Sequence, residues 1–591
     1  MAPGAVDRQR ATRPGAARFR VPVLLCALLA CTARAEDSRH AAQQASPPPS
    51  FLVILADDLG YSDPGFMGSE IRTPQLDALA ASGLVLTDFQ VSPACSPTRA
   101  MLLSGAPAHA SGFGTMWDEA SPEQQGRPGY EGQLSDRVVT LAELLRDAGY
   151  FTALSGKWHL GRGPGRRPVD RGFERAFGPV HGGATHFADR LALFSAGGPP
   201  GPAGFEEDGE PIGDLPDDWY SSTGFTDKLI EQIEGGTGTD GMRPFFALAA
   251  YTAPHWPLQA PPDFIDRYAG VYDDGWDALR ADRVAALQER GIVPKPLRDE
   301  RLPFVRAWSD LAPEERRRQA RIMEVYAAMV EQLDHEVGRL LAWLESTGRR
   351  DNTWVLFLSD NGAEGNPVNR IVADHGWVER TFDNRLGNIG RPGSYVFSGP
   401  GWAQASTAPF RLFKTFPTEG GTRTPAVIAG PGVKPGGFDD PRSRALVTIR
   451  DVLPTLLELA GVAHPASNDP SWQGAAPTGT SLVSLLDGSA EQVHGPAASQ
   501  VFELFGRRSV RRGHWKALWL YEPYGRGRWA LFDLARDPGE RDDLSARHPD
   551  VLAALVADFD TYAARHGVIL PAQDAGYAME DDWTLADDGS P

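Results

Sequence analysis

Five short apolar runs, each stopped by Gly, Pro or a polar cluster, restrict the fold of this chain more than any other feature: residues 51–55, 151–154, 245–250, 354–358 and 426–429. Unbroken apolar runs of this length are what strands buried on both faces require. Amphipathic helical stretches alternate with them at 74–82, 139–148, 314–347 and 452–460. The longest places Ile322, Val325, Tyr326, Met329, Leu333, Val337 and Leu340 on one side, the stripe of an ordinary core helix. The expected fold class is therefore α/β, a large and mostly parallel sheet flanked by helices. In such a sheet the carboxyl ends of the strands share one edge, and ligands bind outside it. Polar residues that follow the five runs, hundreds of positions apart, are expected to converge there. Segments of roughly 190–240 and 270–313 are rich in Gly and Pro or in charge and read as surface excursions.

A chain of 591 residues exceeds one ordinary domain. Residues 50–440 are expected to form the main α/β domain. A smaller α+β domain follows over 441–575, with strands at 499–505, 514–521 and 529–534 and a closing helix at 549–564, and then a tail over 576–591. At the other end, five arginines from Arg8 to Arg20 precede the apolar run 21–30 and an Ala33-Arg34-Ala35 cleavage sequence, which makes residues 1–35 an export signal. Residues 36–49 end in Pro47-Pro48-Pro49 and read as a linker. Export to a bacterial periplasm or beyond is the expectation. A rival reading takes Leu28-Leu29-Ala30-Cys31 as a lipoprotein signal, with the enzyme tethered through a lipid anchor at Cys31. No later stretch of about 20 apolar residues would span a bilayer. The net charge of −19 leaves no basic surface with which to hold a polyanion, so nucleic acid is not an expected partner.

Of three cysteines, Cys26 and Cys31 fall within the export signal, which leaves Cys95 alone in a mature chain. Such a thiol is either an inert buried residue or a special one. Its setting is Cys95-Ser96-Pro97-Thr98-Arg99-Ala100, where Pro97 suits the first turn of a helix through Met101 and Leu102. Cys95 then sits at a helix N-terminus, where free N–H groups favour an anion, and Arg99 shares its face. Asp57-Asp58 follow the first run and Asp360-Asn361 the fourth. Three carboxylates and an amide oxygen are the hard ligands that Ca²⁺ prefers, while Mg²⁺ fits less easily without several waters. For either pair alone, a helix cap or turn is an equal explanation.

Cys95 to Arg99 matches the C-x-P-x-R core by which sulfatases specify oxidation of cysteine to Cα-formylglycine, and in this the chain resembles the sulfatase family. It is similar to bacterial arylsulfatases also in Gly114-Thr115-Met116, Gly156-Lys157-Trp158-His159-Leu160-Gly161, Ala253-Pro254-His255-Trp256-Pro257-Leu258, Asp360-Asn361-Gly362 and Glu419-Gly420-Gly421-Thr422-Arg423. The likeness runs in order over about residues 50–570.

The resemblance implies an alkaline-phosphatase-like sulfatase fold and one Ca²⁺ held by Asp57, Asp58, Asp360, Asn361 and the modified Cys95. It implies that Arg99 supports the formylglycine (3-oxoalanine) hydroxyls, and that Lys157, His159, His255 and Lys414 surround the sulfate, with His255 as candidate general acid. A formylglycine-generating or radical maturase is the implied biosynthetic partner, and a small sulfate ester the implied substrate. One hydroxyl of the hydrated aldehyde would attack sulfur to give a covalent sulfo-enzyme. The other would then lose its proton, so that sulfate departs and the aldehyde returns. The products are an alcohol or phenol and inorganic sulfate. Within the same superfamily the alternatives are a phosphonate monoesterase or phosphodiesterase and a choline or carbohydrate sulfatase. From a different class comes an exported ligand-binding protein without activity.

Overall fold

The first apolar run forms β1 (Ser50–Ala56), buried along its whole length. Leu52 and Ile54 enter one core cluster while Phe51, Val53 and Leu55 enter another. That is the period-2 alternation of a strand held between two layers. The computed structural model describes residues 47–117, 119–194, 200–238, 241, 243–366, 376–434 and 441–576. The expected export signal with Cys31, almost all of the linker, and the tail beyond residue 576 lie outside these residues. Residues from Pro48 onward make one compact unit.

Among the described residues ten further strands join β1: β2 (Leu84–Gln90), β3 (Phe151–Gly156), β4 (Arg175–Pro179), β5 (Phe205–Glu207), β6 (Glu210–Pro211), β7 (Phe245–Ala250), β8 (Thr353–Ser359), β9 (Arg423–Ala429), β10 (Arg442–Ser443) and β11 (Val447–Thr448). Their order is β10-β2-β9-β8-β1-β7-β3-β4-β5-β6, with β11 also on β2. The central strands β8, β1, β7, β3 and β4 are parallel. The fifth predicted run, β9, is antiparallel to both of its neighbours. Its carboxyl end therefore lies away from the shared edge, and it is the stretch before Arg423 that reaches that edge. Strand direction depends on the connection between elements, which apolar content does not encode. β2, absent from the five runs, leaves the sheet at the same edge and leads to Cys95.

The longer helices among the described residues are α1 (Pro74–Ser82), α2 (Cys95–Ser104), α3 (Leu141–Asp147), α4 (Ser221–Gly236), α5 (Gly275–Glu289), α6 (Pro313–Ser346), α7 (Gly399–Ser406), α8 (Val452–Ala460) and α9 (Pro549–His566). The four amphipathic stretches appear as α1, α3, α6 and α8, the helix expected after Cys95 as α2 and the closing helix as α9. One face of the sheet is covered by α4 and α6, with Phe225, Leu229, Ile233, Met329 and Leu333 in the cluster that holds Leu52. On the other, α2, α3 and α8 supply Met101, Leu102, Leu141, Leu145 and Leu456. The two segments read as surface excursions are in part core. Leu229 and Ile233 of α4 are fully buried, and Trp276 of α5 packs against Trp308 and Trp402. In α4 the stripe Phe225, Leu229, Ile233 has helical spacing, but the Gly and Pro around it hid the signal.

Beyond the large sheet, β12 (Ser499–Leu504), β13 (Arg507–Arg512), β14 (Trp515–Trp519) and β15 (Trp529–Asp533) form a four-stranded antiparallel sheet on which α9 packs through Leu555 and Phe559. The change of character near residue 440 does not coincide with an edge of the large sheet, because β10 and β11 still pair with β2. No helix among the described residues is long and apolar enough to cross a membrane.

Candidate active site

The carboxyl ends of β1, β3, β7 and β8 deliver Asp57-Asp58, Lys157, His255 and Asp360-Asn361 to one edge. Backbone bonds between the strand ends lock them in register: Asp57 N–H donates to Ala253 O (3.1 Å), Lys157 N–H to Ala250 O (2.7 Å) and Asp360 N–H to Ala56 O (3.1 Å). Asp58 (φ 67°), His159 (φ 58°) and Thr415 (φ 74°) all hold the left-handed conformation, which non-glycine residues adopt rarely and mostly where the surroundings enforce it.

Cys95 opens α2, whose ten residues are all buried. Its Sγ lies 3.4 Å from His159 Nδ1. One turn on, Arg99 donates from Nε (2.9 Å) and Nη2 (2.7 Å) to Asp360 Oδ2 and from Nη1 to Lys157 O (2.8 Å). Lys157 Nζ donates to Asp57 Oδ2 at 2.7 Å, and Lys414 Nζ to Asp58 Oδ2 at 2.9 Å. His255 Nε2 stands 3.6 Å from the same Asp58 oxygen, while its Nδ1 donates to the Trp256 carbonyl at 2.5 Å. All of the sequence-predicted residues thus meet in one place. Only His159 among them is partly exposed, so the site opens to solvent on its side.

Two oxygens show that the acidic group is incomplete by itself. Asp57 Oδ1 and Asn361 Oδ1 are buried with no hydrogen-bond partner among the described residues, a state that costs free energy unless something meets them. Burial pushes Asp57 and Asp360 above the usual carboxyl range and Asp58 up to about 6, with neighbouring carboxylates adding to the effect. Oxygens of Asp57 and Asp360 and Cys95 Sγ lie within 4.8 Å of one another, as do the donor atoms of Asp57, Asp58 and His255. These residues fit a divalent cation with hard oxygen ligands.

Burial, then Lys157, holds His159 well below the ordinary histidine range, and burial followed by Lys414 does the same for His255. Both rings are neutral at neutral pH. Burial also pushes the Cys95 thiol up, although Lys157 and Lys414 oppose it.

Sequence reasoning missed three supporting residues. Glu364 pairs with Lys414 at 3.3 Å, His186 Nε2 donates to His255 O at 3.0 Å, and Tyr326 of α6 donates to Asp63 (2.6 Å) beneath the Asp57-Asp58 loop. Glu364 lies three residues past Asn361 and was within reach as a further carboxylate on that loop; His186 carries no motif. The Glu419-Gly420-Gly421 stretch turns out to be architectural. A Cβ on Gly420 would lie 2.1 Å from Leu412 O and one on Gly421 2.0 Å from Phe416 O, so only glycine lets the Lys414 loop pass.

A family model described as Sulfatase matches residues 49–462. The chain belongs to the sulfatase family. This sulfatase is 42% identical over 541 residues to an uncharacterized sulfatase of Schizosaccharomyces pombe, spanning 90% of this chain and 96% of that one. It is 41% identical over 427 residues to the arylsulfatase of Klebsiella aerogenes, spanning 72% and 88%. Among solved structures, Ps i-CgsB in complex with k-i-k-neocarrahexaose superposes with a TM-score of 0.62 at 23% identity, over 90% of this sulfatase and 95% of that chain, a likeness of fold. The enzyme is a sulfuric ester hydrolase.

Proposed function

We propose that this sulfatase is of the arylsulfatase type, releasing a phenol and inorganic sulfate from aryl sulfate monoesters, with Cys95 matured to Cα-formylglycine and one Ca²⁺ bound. The observation that carries the reading is the surroundings of Cys95. It sits at a buried helix N-terminus beside His159, with Asp57, Asp360 and two lysines around it. As a thiol it is poorly suited to attack, because burial disfavours the thiolate that attack requires. Hydrated formylglycine would supply paired hydroxyls, one to attack sulfur and one to expel sulfate afterwards. Asp57, Asp58, Asp360 and Asn361 would hold Ca²⁺, which supplies charge neutralisation at the sulfuryl oxygens.

The protein's own groups do the rest. Arg99 keeps Asp360 oriented through its two bonds to one oxygen. Lys157 and Lys414 place fixed positive charge beside residue 95, the preorganised arrangement that favours a developing anion. His159 Nδ1 lies within reach of the residue-95 side chain. His255 is the candidate proton donor to the leaving oxygen; with Nδ1–H held by the Trp256 carbonyl, Nε2 would take up a proton from solvent, which the negative charge of the bound ester favours, and pass it to that oxygen. Export, maturase processing of Cys95 and a lipid anchor at Cys31 as the rival to free release complete the proposal.

The test is sulfate release from 4-nitrophenyl sulfate by protein co-produced with a maturase, with 4-nitrophenyl phosphate in parallel. The expected result is preferential sulfate release that Cys95→Ala abolishes and chelation of Ca²⁺ diminishes. Faster phosphate release would move the enzyme to the phosphoester branch. No turnover despite formylglycine at position 95, seen by mass spectrometry, would overturn the arylsulfatase reading.

A further inference from the structure

Phe194, 43% exposed, is one of two exposed Phe or Trp side chains among the described residues. Its position follows from a small hairpin. Ala184 bridges Ala192 in antiparallel register, and Thr185 N–H donates to Leu191 O at 3.0 Å. Gly183 abuts Leu193, whose Cδ1 would lie 3.2 Å from a Cβ added there. Continued by one pair, this register sets Phe194 opposite Gly182. A Cβ on Gly182 would in turn lie 3.2 Å from His159 Nε2. Paired strands lie about 5 Å apart, so Phe194 stands roughly one strand spacing from the backbone that borders the exposed side of the site.

Its ring is also braced from within. Phe194 packs edge-on against Trp256, centroids 5.5 Å apart, and the Trp256 ring lies 4.8 Å from that of His255. Tyr395, with Trp377 and Phe382, backs Trp256 in an apolar cluster. A rigid aromatic wall thus runs from His255 to the protein surface at the mouth. Of the wall's polar groups, the Tyr395 hydroxyl donates inward to Leu193 O, and the Trp256 indole N–H is buried with no acceptor among the described residues.

We propose that Phe194, braced by Trp256, is a specificity-determining residue: the organic part of the sulfate ester lies against it, and the wall selects planar aromatic leaving groups over sugars. The proposal rests on the arylsulfatase reading and names the surface that enforces it. A sugar brings several hydroxyls that each lose water on entry and need a partner, which a wall made of aromatic ring faces and edges supplies poorly. An aromatic ring gains stacking and area burial without that cost.

The experiment uses the matured full chain and compares wild type with Phe194→Ala and Phe194→Trp. In Phe194→Ala, KM for 4-nitrophenyl sulfate is expected to rise about three- to tenfold with kcat within roughly twofold, the range of one lost aromatic contact. The Ki of inorganic sulfate, which reads the anion site alone, stays at the wild-type value, and Phe194→Trp restores KM. An unchanged KM in Phe194→Ala overturns the wall. So does a sulfate Ki that weakens in step with KM, because Phe194 would then only support the fold. Wild-type enzyme that prefers a hexose 6-sulfate over the aryl ester overturns both the wall and the arylsulfatase reading, whereas the first two results leave that reading intact.

Discussion

Asp58 is the position at which the proposed cation site and the stability of the fold are coupled. It is fully buried, faces Lys414 and His255, and is raised by burial to about 6. A carboxyl whose folded value lies above its unfolded one stabilises the fold when protonated. That contribution is complete below the unfolded value and lost as pH rises through the folded one. A cation needs the ionised form, so protons and the proposed Ca²⁺ would compete for this group. The gain in Tm on adding Ca²⁺ to the cation-free protein is therefore expected to be full near pH 8 and to shrink as pH falls through about 6. Differential scanning calorimetry with and without Ca²⁺ at the two ends of that range checks it. A gain of equal size at about pH 5 would mean that the carboxylates are not the cation's ligands. The identities of Asp57, Asp58, Asp360 and Asn361 were readable in the sequence because each pair follows an apolar strand. The unpartnered oxygens of Asp57 and Asn361 were not, since hydrogen-bond satisfaction depends on what lies across the edge.

At the scale of elements, the site depends on how closely the strand ends approach. Gly156 closes β3 at φ 114°, and a Cβ there would lie 1.9 Å from Ala250 O at the end of β7. No side chain fits without parting the two strands, and the next residue is Lys157, bonded to Asp57. Gly156→Ala is expected to cost roughly 2–4 kcal/mol of stability, by strain and lost packing, and to reduce kcat/KM further by moving Lys157. Urea unfolding alongside steady-state kinetics measures both, and a variant with wild-type stability and activity would show that the edge is more pliable than its geometry implies. The glycine itself stood in a recognisable motif. That it serves a close approach between β3 and β7 became legible only once those strands were neighbours.

The whole molecule closes the site with parts that are far away in sequence. Leu504 and Phe505 of the small sheet share a cluster with Cys95 and Met116, and Arg507 donates to Thr415 O (3.2 Å), next to Lys414. Between the sheets, Arg511 donates to Asp88 (2.7 Å) and Lys516 to Glu419 (2.8 Å), all of them buried. Removing one partner of a buried pair of this kind costs about 3–5 kcal/mol. A chain ended at residue 498 keeps the whole span that matches the sulfatase family model, residues 49–462. It leaves Asp88 and Glu419 without these cations, and is expected to lose cooperative unfolding by near-UV circular dichroism together with all activity. A cooperatively folded truncated chain would show that the small sheet is an accessory to the large one.

The sequence by itself marked most of the central strands and the amphipathic helices, because burial on both faces leaves a local apolar signature, and it marked the candidate site residues, because the cysteine hexapeptide and the acidic pairs are contiguous. Other features were decided by the tertiary structure alone: the reversed direction of β9, the core position of α4, the service of Glu364 and His186, the small sheet's place against Cys95, and the wall ending at Phe194. Each depends on pairing or packing between residues tens to hundreds of positions apart. Such contacts are selected by the free energy of the assembled fold and leave no periodicity in the chain.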